Sequence, residues 1–287
     1  MPSLGMVDCE TNGWSVVTSA PSNSSFAGVL AGFLFTGLVF LFQVPASSAQ
    51  QQAAGRPTWA EAHAPVIALF SATFLDLGFA SYLFGRVAGF SAEGVRPGDT
   101  GAVRTLCNAV WMEAMAASGM LAVGAAALVI ALGYLLVTFE STVTYLKRLA
   151  WFTGIGVLLG APLLQVFTSF NFYEQIWEWE KAGHGEDVRS AIALTVAGAV
   201  VAVITGVWFY LSSHRRGGKN DHRKFLEYGA YGVALYAVLG PTFAAVVVEM
   251  PPEWLAAPTS SLVFGTIVVS LIFPAVIAAL LAGGAAT

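Results

Sequence analysis

Apolar runs of about 20 residues or more recur along this chain, near 26–46, 64–86, 107–136, 149–172, 190–212, 225–248 and 260–283. A run of that length, coiled as a helix, spans the roughly 30 Å hydrocarbon core of a bilayer. In lipid every backbone N–H and C=O must be satisfied internally, which leaves only helices and closed barrels. The runs lack the apolar/polar alternation of a barrel strand, so the barrel is excluded. Composition agrees: 56% of residues are hydrophobic and only 10% are charged, whereas a soluble domain carries about 25% charged residues. The expected fold is all-α, a polytopic integral membrane bundle of about seven transmembrane helices. Residues 1–25 are expected as an extracytoplasmic segment and 26–287 as one transmembrane domain.

The first run is followed by "VPASSAQ", a small-residue pattern of the kind signal peptidases cleave. Residues 1–25 contain no Lys or Arg, however, and a secretory leader needs a basic start. A retained first helix is the better reading. With the N-terminus outside and the C-terminus inside, eight basic residues fall on the inner side and five on the outer. That is the direction of positive-inside sorting. The inner cluster Arg215, Arg216, Lys219, Arg223 and Lys224 is an ordinary cytoplasmic loop on those grounds and also suits anionic lipid headgroups. With basic residues confined to one cluster and a net charge of −4, nucleic acid is not expected as a partner. Membrane lipids are, and a second copy or a protein partner remains open. A multi-pass protein of the cell membrane, of bacterial plasma-membrane type, fits these features.

Small residues four apart recur as Gly28/Gly32, Gly156/Gly160 and Gly198/Ala202/Gly206. Such ridges let helix backbones approach closely. Pro162, Pro241 and Pro274 each remove a donor inside a helix and are expected to kink it.

The chemistry lies in the few polar residues within apolar runs. "FSATFLDLGFASYLFGR", residues 70–86, places Asp76 ten residues before Arg86, about 15 Å along a helix and close to the bilayer midplane. An ionised carboxylate facing lipid there costs about 2.5–3.5 kcal/mol even on lenient scales. Asp76 must therefore face protein or water, be protonated, or pair. Glu113 in "CNAVWMEAMAASG" supplies a second acid, and Gln165 and Asn171 add polar groups toward the same side. These four residues are expected to line one outward-facing cavity suited to a cation or a proton-coupled ligand. The plainer alternative is structural, with Asp76 a protonated helix-to-helix hydrogen bond and Glu113 paired with Arg86 or Arg104. A stripe of Tyr228, Gly232 and Tyr236 behind Glu227 is a candidate inner gate, against the plainer reading of a dipole-favoured acid and an aromatic belt.

Cys9 and Cys107 are the only cysteines. Both lie outside under this topology, and an oxidising exterior would let them bridge; two free thiols are the alternative. A bridge would make the segment around Trp14 a lid over the polar cavity.

Absences narrow the function. The last run has no lysine for a retinal Schiff base, and the four histidines show no HxxxH spacing. Neither a metal site nor another cofactor is expected. Phosphate-binding glycine loops and a GxSxG nucleophile turn are missing, which makes an enzyme the least favoured class. The leading expectation is binding or movement of a small solute or cation, with Asp76 as charge centre, Glu113 tuning it, and Gln165 and Asn171 orienting the ligand. The alternative is a non-catalytic membrane subunit or receptor-like module of a larger complex.

Overall fold

The computed structural model describes residues 9–11, 14–43, 59–90, 99–139, 219–256 and 258–285, with individual positions between 152 and 173 and between 193 and 208. A two-stranded antiparallel ribbon, β1 (Glu10–Thr11) and β2 (Trp14–Ser15), precedes α1 (Val16–Gln43). There follow α2 (Trp59–Ala88), α3 (Thr100–Phe139) and α4 (Lys219–Val248). The final span is composite: after the short α5 (Pro252–Ala256) come α6 (Ser260–Ile267), a π-helical turn (Val268–Ile272) and α7 (Phe273–Ala285).

Five helices among the described residues are long and apolar enough to cross a membrane: Val16–Phe40, His63–Ala88, Gly101–Leu135, Lys224–Val248 and Ser261–Gly283. The architecture is that of a multi-pass helical membrane protein. Two further spans were expected near 149–172 and 190–212; their described positions are helical, but the expected count of seven rests on more than those positions. Arg215, Arg216, Pro162 and the Gly198/Ala202/Gly206 ridge lie outside the described residues.

Helix starts follow local capping chemistry rather than the edge of the apolar run. The first helix begins at Val16, ten residues before the expected start, because the Ser15 hydroxyl accepts the Thr18 N–H at 3.2 Å. That bond satisfies one of the orphan donors of the first turn. Asp99 does the same for α3, accepting from the Ala102 N–H at 3.0 Å, and Thr259 for α6, accepting from Leu262 at 3.3 Å.

The polar first turns of α1 are held by α2. The Ser24 hydroxyl donates to the Ser81 carbonyl at 2.8 Å and the Ser81 hydroxyl to the Ser24 carbonyl at 2.9 Å. In a bundle such paired hydroxyls stabilise by about 0.6 kcal/mol each. Gly28 belongs to this contact, since a Cβ there would lie 3.3 Å from the Ser81 oxygen. At Gly32, Gly156 and Gly160 a Cβ would meet nothing within 4 Å among the described residues. The expected ridge therefore reduces to Gly28, because the buried face of α1 runs through Ala20, Ala27, Ala31, Leu34 and Leu38 and Gly32 falls outside it.

At the centre stands α3, with 67% of its most apolar window buried against 22% for α1. It packs on α2, α4 and α7. Glycines of α4 set two close approaches: a Cβ on Gly240 would lie 2.5 Å from the Met120 sulfur of α3, and one on Gly229 would lie 2.7 Å from Leu281 of α7.

Candidate functional site

Among the described residues two polar clusters adjoin α3, the first built partly from its side chains and the second packed against its glycines. The first sits at the Cys107 end. Cys9 and Cys107 form a disulfide with Cα atoms 5.4 Å apart, tying the β-ribbon to the start of α3. Trp111, one turn further, donates its indole N–H to the Cys9 carbonyl at 3.3 Å and packs against Trp14 with ring centroids 5.4 Å apart. Asn108 donates to the Leu255 carbonyl at 2.7 Å, which fastens α5 to the same end. Below these, Arg86 of α2 and Glu113 of α3 form an ion pair, Nε to Oε1 3.3 Å. Glu113 is buried while Arg86 keeps about a third of its side chain exposed, so the acid is shielded and its cation is partly hydrated.

The second cluster lies at mid-span. Buried positions on α2 are spaced three or four apart, Leu69, Thr73, Asp76, Ala80, Leu83 and Val87, while Leu75, Phe79 and Tyr82 face outward. That 3.6-residue period turns Asp76 away from lipid. Asp76 is the middle of the His63–Ala88 span, is 0% exposed, and neither carboxylate oxygen has a hydrogen-bond partner among the described residues. Gly124 of α3 makes room for it: a Cβ there would lie 3.1 Å from Asp76 Oδ2 and 2.5 Å from the Leu77 side chain.

Tyr236, the middle residue of the Lys224–Val248 span, is also fully buried and meets α3 at Gly119, five residues before the Gly124 that faces Asp76. Its hydroxyl donates to the Val269 carbonyl at 2.8 Å. The sequence explains why that carbonyl is free. In the π-helical turn Phe273 donates its N–H to Val268 five residues back, and the next donor in that ladder would be residue 274. That residue is proline, which has no N–H. Tyr236 takes the vacated acceptor, as inserted side chains do at kinks and π-bulges. Ser270 in the same turn is 0% exposed, and its hydroxyl has no partner among the described residues. Gly119 lets this assembly reach α3, since a Cβ there would overlap the Tyr236 hydroxyl and come within 3.0 Å of the Ser270 carbonyl.

The four residues expected around one cavity are thus distributed differently. Glu113 and Gly124 lie eleven residues apart on α3, about 16 Å along its axis, so Glu113 sits with Arg86 and Asp76 sits apart from both. Gln165 is buried and donates to the Ser118 carbonyl at 2.6 Å, with its amide oxygen unpartnered among the described residues. Asn171 is half-buried. Of the expected inner gate, Tyr228 is 58% exposed, Tyr236 is 0% exposed and Glu227 is half-buried. A spacing of four advances 400° around a helix, so two such steps rotate the stripe by about 80°. That rotation carries Tyr228 to the surface and Tyr236 to the core. Lys224 is exposed, as an anionic-lipid contact would need.

Sequence reasoning missed Gly119, Gly124 and Ser270. A signal for the last existed, a serine in an apolar run four residues before Pro274. Comparison with known proteins finds no matching family model, no matching curated protein and no matching solved structure.

Proposed function

We propose that this protein binds or moves a small cation across the membrane, with Asp76 as its charge centre. One observation carries the reading: a carboxylate at the middle of a membrane span, fully buried, with neither oxygen hydrogen-bonded among the described residues. Leaving a buried polar group unpaired costs at least about 1–3 kcal/mol, more if it is charged. Among the described residues nothing packed around Asp76 offsets that cost, which supports a group kept for what it binds. Tyr236, Ser270 and the π-helical turn supply neighbouring polar atoms and a helix segment able to change its ladder. The disulfide supports an outside N-terminus, since such bridges persist in oxidising compartments.

The alternative, a non-catalytic subunit or receptor-like module, draws on the first cluster, whose disulfide and ion pair hold that end of the bundle fixed. Flux in proteoliposomes separates the two readings. Cation or proton flux in the wild type that is lost in Asp76→Asn supports the proposal. No flux in either protein moves the reading to the subunit.

A further inference from the structure

The donor set around Asp76 identifies the species it would hold, given the function just proposed. We infer that Asp76 is a proton site rather than a metal-cation site. Hard metal cations take about six or more oxygen ligands, and the described surroundings of Asp76 supply fewer. On α2 the Thr73 hydroxyl, one turn away, donates to the Leu69 carbonyl at 2.6 Å and offers one oxygen. On α3 the facing residue is Gly124, which contributes no side chain. On α4 the Tyr236 hydroxyl donates to Val269 and offers at most one oxygen more. Among the described residues no group of three His, Cys, Asp or Glu side chains lies together.

The charges facing Asp76 point the same way. Neither α1 nor the last span from Ser260 to Ala285 contains an ionisable side chain. On α3 the charged residues are Arg104 and Glu113, at the Cys107 end, and Glu113 is paired with Arg86. The charged residues of α4 run from Lys219 to Glu227, nine or more residues before Tyr236. Among the described residues of these packed helices, Tyr236 is the titratable group at this depth, and no cation pairs with the carboxylate. A proton balances its charge with a single oxygen: carboxylate plus hydronium gives the neutral acid and water, and release reverses the step.

Difference infrared spectroscopy of the full-length protein in liposomes tests this through the carboxylic-acid C=O stretch. A band absent from Asp76→Asn and present in Glu113→Gln should appear at neutral pH in choline buffer. It should stay unchanged when Na⁺ or K⁺ replaces choline. Asp76→Glu, which keeps the acid, should shift the band rather than remove it, and this serves if the Asn variant folds poorly. Loss of the band on adding Na⁺ or K⁺, or no Asp76-dependent band in any buffer, overturns the inference. The two claims separate cleanly: a stable band without flux leaves the proton site standing and removes transport. Flux that requires Na⁺, with a band that collapses in Na⁺, does the reverse.

Discussion

Glu113 and Asp76 are both carboxylates buried in apolar helices, yet their surroundings differ in kind. Glu113 has a cation 3.3 Å away on the neighbouring helix, and around it a disulfide, an indole–carbonyl bond and an asparagine–carbonyl bond fasten two chain segments to one end of α3. Each side chain named there makes a contact that holds the fold, although Asn108 Oδ1 has no hydrogen-bond partner among the described residues and Glu113 Oε1 has only the ion pair. Asp76 faces the backbone of Gly124 and has no hydrogen bond among the described residues. A buried acid with a partner is explained by stability; one without a partner is not. The comparison teaches that burial alone does not mark a functional acid. What matters is whether the surroundings satisfy it.

The comparison can be broken by substitution. Arg86→Ala strands Glu113 as a buried charge and should destabilise by about 3 kcal/mol. Glu113→Gln in that background should recover most of the loss, as read by unfolding in the same lipid. Removing the bridge with Cys9→Ser should cost about 2–3 kcal/mol, with the wild type matching the variant once reductant is added. At the second cluster, Gly124→Ala should cost about 2 kcal/mol by overpacking against Leu77 and Asp76. Gly133→Ala, where a Cβ meets open space, is the near-neutral control. Tyr236→Phe leaves the Val269 carbonyl without its donor and should cost about 1 kcal/mol. A loss from Gly133→Ala equal to that from Gly124→Ala would break the account of why α3 carries glycine opposite Asp76.

How much of this was legible in the sequence depends on the range of the signal. Apolar length alone showed a helical membrane protein, because lipid leaves so few alternatives. Asp76 stood out because a charge in an apolar run is expensive wherever the helix packs. The Arg86–Glu113 pair was readable only as one option among several, since spacing gives depth but not which helices adjoin. The start of α1 was misplaced because "SAPSNSS" reads as loop, and the bonds that hold it helical come from Ser81, far along the chain. The ribbon at Glu10–Ser15 had a local signal that went unused, the Asn12–Gly13 dipeptide favoured in two-residue hairpins. Tyr236 was seen as part of a stripe, but its acceptor exists only because Pro274 leaves Val269 free, a relation between two distant spans. Gly119 and Gly124 looked like any small residues in lipid until their neighbours were known.

The most direct test of the central claim is the unfolding midpoint of Asp76→Asn against wild type in one lipid composition. The substitution is nearly isosteric and removes the group that takes up the proton. If the fold owes nothing to Asp76, the two midpoints coincide to within the equivalent of about 0.5 kcal/mol. A loss of about 2 kcal/mol or more would show that Asp76 holds the helices together, and would contradict its reading as a site kept for a bound ion.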